Sequence, residues 1–202
     1  MSKGLLIVFS GPSGVGKGSI MDKVLGRRKN LKLSVSYTTR KPREGEIDGD
    51  SYHFVSEKEF LDTAKNGGML EYAEYCGNYY GTPKKSVDEE LEAGNNVILE
   101  IEVQGGKQVL DSCTDEVGIF VLPPSPGDLF TRLEKRGSDS KESVLQRFSE
   151  SKREIEYAKY YDYVVVNEFV EQCASNILKI IDSQSMRFKY MKNKVEEILK
   201  NA

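Results

Sequence analysis

The chain has 202 residues, with 38% hydrophobic and 30% charged, a balance that suits one soluble globular core with inserted parts and sets aside a disordered or fibrous chain. A net charge of −3 provides no overall basic field, so nucleic acid and anionic membranes are not expected partners and any anion site must be local. Cys76, Cys113 and Cys173 stand far apart and His53 is the one histidine, which points away from a disulfide framework, a zinc site and a Ser-His-Asp triad.

Leu5 to Phe9 is an apolar run of strand length, too short for a signal peptide, and it reads as a core strand. Gly11-Pro12-Ser13-Gly14-Val15-Gly16-Lys17 follows at once, and Ile20, Met21, Val24 and Leu25 then repeat with helical spacing. Strand, glycine loop and helix with the spacing Gly11-x4-Gly16-Lys17 form a phosphate-binding loop: residues without Cβ let backbone N–H groups curl around phosphate oxygens, and the helix N-terminus adds its positive end. Nucleoside triphosphate binding is the expectation, with Lys17 as a point charge at the β/γ bridge. Gly18 stands where the pattern calls for a magnesium-ligating hydroxyl, and Ser19 comes one residue late. Magnesium is therefore expected to be held through phosphates and waters, near Glu100, with no direct ligand from the loop.

A second strand is expected around Leu31 to Ser36. Residues 36–46 are too polar and proline-broken for core and read as a loop, in which Arg40 and Arg43 can form a two-pronged clamp for a dianionic phosphate. Ser51 to Val55 alternates like a short strand, Glu57 to Lys65 is a helix capped by Ser56, Met69 to Tyr75 alternates again, and Gly77 to Gly81 is a tyrosine-rich turn, together a small antiparallel insert. Lys84 to Ala93 is helical and stops at Gly94. Val97 to Val103 reads as a buried parallel strand with Glu100 and Glu102 near its C-terminal end, the end that faces the ligand crevice of an open α/β sheet. Val117 to Leu122 is another central strand, broken by Pro123 and Pro124. Asp128 to Lys135 and about Glu142 to Tyr160 are helices carrying Arg132, Arg136 and Arg147, and Tyr163 to Asn167 is the last strand. Phe188, Met191, Val195, Ile198 and Leu199 give the final helix an apolar stripe expected to pack on the core. No stretch approaches a membrane span, and a cytoplasmic protein is expected.

The loop Gly-Pro-Ser-Gly-Val-Gly-Lys, the segment 34–46, the turn 77–82, the stretch 98–105 and the arginines Arg132, Arg136 and Arg147 fall in an order that resembles the guanylate kinases across nearly the whole chain. The resemblance implies an α/β fold: a doubly wound parallel-sheet core (1–36, 91–127 and 157–202), an inserted α+β GMP-binding region (37–90) and a helical lid (128–156). It implies ATP on residues 11–19, with Arg132 and Asn167 nearby. Arg40, Arg43, Tyr52 and Tyr80 would hold the phosphate of GMP, and Ser36, Glu71, Thr82 and Glu102 would surround the guanine. Lys17, Arg136 and Arg147 would bind the transferring phosphoryl group. Glu102, and in some members Glu100, stands where the family carries aspartate.

Phosphoryl transfer needs alignment and charge neutralisation more than a covalent nucleophile, and a phosphate acceptor is already ionised near neutral pH, so lysine, arginines and Mg2+ suffice without a histidine. The expected reaction is transfer of the γ-phosphoryl group of ATP to GMP, and to dGMP, in purine metabolism, by a monomer or homodimer. The alternatives are a catalytically inactive, guanylate kinase-like phosphopeptide-binding module and a kinase of another small acceptor on the same core.

Overall fold

The computed structural model describes residues 3–75, 77–135 and 141–201. The apolar run at the start becomes β1 (Leu6–Ser10), buried at every position, and the helical spacing after the loop becomes α1 (Lys17–Leu25), which buries Ile20, Met21 and Val24. β2 (Leu31–Leu33), β3 (Tyr37–Thr38) and β4 (His53–Phe54) are short. In α2 (Glu57–Lys65) the Ser56 hydroxyl accepts the Glu59 N–H at 3.2 Å, the expected cap. β5 (Met69–Tyr75), β6 (Asn78–Pro83), α3 (Lys84–Glu92), β7 (Asn96–Glu100) and α4 (Val103–Ser112) follow. Next come β8 (Glu116–Leu122), α5 (Pro126–Glu134), α6 (Lys141–Ile155), a 3-10 turn (Glu156–Tyr160) and β9 (Tyr163–Val166). α7 (Val170–Gln184) and α8 (Phe188–Lys200) end the chain.

Five strands form a wholly parallel sheet in the order β2-β7-β1-β8-β9. Alternate residues of β1 feed opposite faces. Ile7 and Phe9 pack with Ile20 and Val24 of α1 and Ile177 of α7; Leu6 and Val8 pack with Val87 and Leu91 of α3 and Val103 and Val109 of α4. Helices therefore cover both faces, and the C-terminal ends of β1 and β7 open together into the crevice typical of such sheets. A second sheet, β4-β3-β6-β5, is antiparallel except for the two-residue parallel pairing of β3 with β4. α5 and α6 close a small cluster of their own through Leu129, Leu133 and Val144.

Several segments differ from their sequence expectations. The strand expected through Val103 ends at Glu100, and Val103 opens α4, which the sequence reading did not contain. Residues 77–81, expected as a turn, reverse the chain only at Gly77 (φ 72°), and from Asn78 they run as β6 against β5. Tyr37 and Thr38, expected in a loop, pair with Gly81 and Tyr80. Helix α7 was also absent from the sequence reading, although Cys173, Ala174, Ile177, Leu178 and Ile181 supply its buried stripe. The helix expected to Tyr160 tightens to a 3-10 turn after Ile155.

The α8 expectation is overturned. Its stripe is exposed, from 39% at Val195 to 71% at Leu199, and none of its residues is buried. Of the cysteines, Cys173 is buried and Cys113 half-buried, with burial pushing both thiols up; Cys76 lies outside the described residues. Among the described residues no helix is long and apolar enough to cross a membrane.

The contrast between α7 and α8 is measurable. Ile177 is fully buried, so Ile177→Ala should cost about 2–5 kcal/mol in urea unfolding. Ile198 is 57% exposed, and Ile198→Ala should stay within about 0.5 kcal/mol of wild type. Equal losses at the two positions would return the α8 stripe to the core.

Candidate active site

The phosphate loop leaves the C-terminal end of β1 and enters α1 through Gly14 (φ 85°) and Gly16 (φ 95°), left-handed conformations that other residues adopt only under strain. A Cβ at Gly11 would come 2.6 Å from the Val121 carbonyl oxygen of β8. Val15 is fully buried and pins the loop to the core, and its carbonyl accepts two long-range hydrogen bonds, from Arg132 Nη1 at 3.1 Å and Asn167 Nδ2 at 2.8 Å. Arg132 Nη2 also donates to the Asn167 carbonyl at 2.9 Å. Both residues expected on the ATP side thus brace the back of the loop. Lys17 Nζ donates to the Gly11 carbonyl at 2.7 Å, while Gly18 and Ser19 are exposed at the start of α1.

The carboxylate of Glu154, at the end of α6, accepts the Ser13 N–H at 2.9 Å. Burial raises its pKa most, the Ser13 hydrogen bond opposes the shift, and the charges of Glu102 and Lys17 act on it as well. Glu100, at the end of β7, is likewise raised by burial, with Lys17 pulling it down and Asp22 and Glu102 pushing it up. Lys17, Glu100, Glu102 and Glu154 therefore share one electrostatic neighbourhood at the C-terminal edge of the parallel sheet. Glu102 itself is exposed and occupies the cap position of α4.

In the second sheet Arg40 is held in a bidentate pair with Glu46, Nη2 to Oε1 at 2.8 Å and Nη1 to Oε2 at 3.0 Å. The Arg43 backbone N–H donates to Glu46 Oε2 at 2.6 Å, and Arg43 itself is exposed. The Arg40 guanidinium beside it, then the Arg43 backbone donor, hold the Glu46 carboxyl down at about 2. Arg40 also lies 5.6 Å from the Tyr52 ring centroid, and Tyr52 meets Tyr80 edge to face at 6.0 Å. Arg40, Tyr52 and Tyr80 are thus brought together as the sequence expects. The Tyr52 hydroxyl, raised mainly by burial, feels the charge of Glu100 across from the core.

Glu71 and Thr82 face each other across the β5–β6 pair, both buried. Thr82 Oγ1 donates to Glu71 Oε1 at 2.7 Å. Burial raises the pKa of Glu71, and the hydrogen bonds from Thr82 oppose it. Ser36 lies half-buried at the entry to β3, where its carbonyl accepts the His53 N–H at 2.9 Å. Arg147 is half-buried on α6. Arg136 lies outside the described residues.

Glu46 and Glu154 carried no role in the sequence reading. Glu46 had a partial signal, since an acid beside Arg40, Lys41 and Arg43 is a ready counter-ion, although Glu44 offered the same. Glu154 had none: it is one of four glutamates in the helical stretch 142–156, and its partner lies 141 residues away.

The chain was compared with known proteins. The family model for guanylate kinase matches residues 3–184. A guanylate kinase of Clostridium tetani is 48% identical over 195 residues, spanning 96% of this chain and 93% of the relative. One of Lactococcus lactis is 50% identical over 185 residues, spanning 92% and 90%. The crystal structure of guanylate kinase from Anaplasma phagocytophilum superposes with a TM-score of 0.74 at 35% identity, over 92% of this chain and 88% of that one. With a phosphate loop on a parallel sheet, a tyrosine–arginine cluster in the inserted sheet and these relatives along nearly its full length, the chain belongs to the guanylate kinase family.

Proposed function

We propose that this protein transfers the γ-phosphoryl group of ATP to GMP, and to dGMP, releasing ADP and the nucleoside diphosphate. The observation that carries the choice of acceptor is the buried Glu71–Thr82 pair. Guanine offers N1–H and its exocyclic amine as adjacent donors, whereas adenine has a bare acceptor at N1. An ionised carboxylate at that edge attracts the first and repels the second. Thr82, Ser36 and Glu102 surround the base, and Arg40, Arg43, Tyr52 and Tyr80 hold the phosphate of GMP.

In this reading residues 1–36, 91–127 and 157–202 form the core, 37–90 the GMP-binding region and 128–156 a lid. ATP lies along Gly11 to Ser19. Lys17, joined by Arg136 and Arg147 from the lid, neutralises the charge on the transferring group while an oxygen of the GMP phosphate bonds to the γ-phosphorus and the bond to the β/γ bridging oxygen breaks. The acceptor oxygen arrives ionised, so no side chain need remove a proton.

Mg2+ would accompany ATP and supply charge neutralisation on the β- and γ-oxygens. The donor chemistry fits an ion held through waters: Glu100, half-buried at the end of β7, offers hard carboxylate oxygens, and among the described residues no group of three or more acids is gathered to ligate it directly. Lys17 in an intact loop favours catalysis over a phosphopeptide-binding module.

A coupled ADP-release assay with ATP, magnesium and GMP, dGMP, AMP, CMP or UMP tests the reading; turnover with GMP and dGMP should far exceed the rest, and equal rates across the panel would overturn it. Glu71→Gln keeps the shape and removes the charge, and should lower the GMP/AMP ratio of kcat/KM by roughly tenfold or more. An unchanged ratio would remove Glu71 from base recognition.

The same carboxylate sets a pH dependence. Burial disfavours its charged form, so as pH falls it takes up its proton above the ordinary carboxylate range and loses its acceptor role there. The kcat/KM for GMP should therefore fall in that window more steeply in wild type than in Glu71→Gln, in which only the substrate phosphate and the common groups titrate. Superimposable profiles would contradict an ionised Glu71 as the recognising group.

A further inference from the structure

Helix α4 carries two adjacent glycines, Gly105 and Gly106, in its first turns, although glycine weakens a helix relative to alanine. Both are buried, and neither has the left-handed backbone that would call for glycine, so what they supply is space. A Cβ at Gly106 would strike the Tyr161 hydroxyl and come 2.8 Å from Ser10 Oγ, which is a requirement of core packing. At Gly105 the neighbour is different. A Cβ there would run into Glu71 Oε2, come 3.1 Å from its Cδ and 3.4 Å from its Cγ.

Glu71 sits between two supports. From β6, Thr82 Oγ1 holds Oε1 at 2.7 Å. On the other side the bare backbone of Gly105 lies against Oε2. Helix α4 does not give way easily, since Val103 and Val109 are rooted in the core with β1 and β8. It is also joined to β5 one residue beyond Glu71, where Gln108 exchanges hydrogen bonds with the Tyr72 N–H and carbonyl, each at 3.4 Å. The carboxylate, by contrast, is the free end of a side chain with three rotatable bonds. A methyl group at Gly105 would therefore move Glu71 rather than the helix.

We infer that Gly105 is a specificity-determining residue for this enzyme: its missing side chain fixes the depth at which the Glu71 carboxylate stands, and so the fit of the guanine edge. Gly105 acts through Glu71 and is a positioning residue. The inference rests on the reading of Glu71 as the carboxylate that recognises guanine. It explains why glycine stands inside a helix at a position where alanine suits the backbone.

The test uses the full chain and three variants. Gly105→Ala should raise KM for GMP about tenfold and lower the GMP/AMP ratio of kcat/KM by a similar factor, with KM for ATP unchanged and a single cooperative thermal transition retained. Adding Glu71→Asp withdraws the carboxylate from the new methyl group and should recover the ratio by roughly threefold or more over Gly105→Ala alone. A ratio within about twofold of wild type in Gly105→Ala overturns the inference. So does a KM for ATP that rises in step with that for GMP, or a double variant no better than the single, whether or not the single variant folds well. Glu71→Gln separates the two claims: if it leaves the ratio unchanged, the reading of Glu71 fails; if it lowers the ratio while Gly105→Ala does not, only the role of Gly105 fails.

Discussion

A loop that turns its N–H groups toward an anion must have its carbonyls satisfied elsewhere, and the nucleotide end of this protein is arranged around that constraint. The Val15 carbonyl takes both Arg132 Nη1 and Asn167 Nδ2, donors from 117 and 152 residues further along the chain. Left-handed glycines give the loop its curl, and side chains at those points would collide: a Cβ at Gly14 would lie 2.8 Å from Leu133, and one at Gly16 would lie 2.9 Å from Asn167. The same helix, α5, thus supplies Leu133 to fill the space beside the loop and Arg132 to brace its back. On the open side, Glu154 places an anion on the Ser13 N–H, the chemistry to which such a nest of amides is suited. Loop shape, the placing of α5 and the end of α6 are in this way one problem.

The inserted sheet handles charge in two ways. Arg40 sits in a pair with Glu46 whose side chains are only 14% and 20% exposed, so the guanidinium is oriented in advance and backed by Tyr52. Glu46 thus holds the guanidinium in place through two hydrogen bonds, leaving its remaining donors for a phosphate dianion in the proposed function. Glu71 is the opposite case. It is buried with a hydroxyl partner and no salt-bridge cation among the described residues, which burial makes costly and which raises its pKa. A carboxylate kept there at such cost suits a ligand with donors to match it, which is the part the proposed function gives to guanine.

Much of the core was legible because strand, glycine loop and helix each leave a period or a punctuation mark in the sequence. β1, β8 and β9 announce themselves as apolar runs, and Ser56 with Glu59 marks the start of α2. Helix α4 was not legible, since the apolar run from Val97 reads as strand through Val103 and the adjacent Gly105 and Gly106, which pack closely on Glu71 and Tyr161, give a weak helix signal. Helix α7 leaves a legible pattern, since its buried residues recur at three- and four-residue steps. For α8 the amphipathic pattern gave the helix correctly and its neighbour wrongly, because a moment shows that one face is apolar without saying what lies beside it. In the inserted sheet the structure brings Arg40 to Tyr52 and Tyr80, and Glu71 to Thr82, whereas the Glu154–Ser13 contact and the bracing of Val15 depend on tertiary proximity that a single sequence does not encode locally.

The proposed function assigns the triphosphate to the phosphate loop and the monophosphate chiefly to the inserted region, two groups of residues built on separate sheets. Calorimetric titration of Lys17→Ala with GMP and, separately, with a non-hydrolysable ATP analogue and magnesium addresses that division most directly. The substitution should abolish turnover and weaken the ATP analogue while leaving GMP affinity within about twofold of wild type, since the lysine lies at the phosphate loop and the residues proposed to hold the GMP phosphate lie in the inserted region. A comparable loss of affinity for both ligands would contradict the division into two sites.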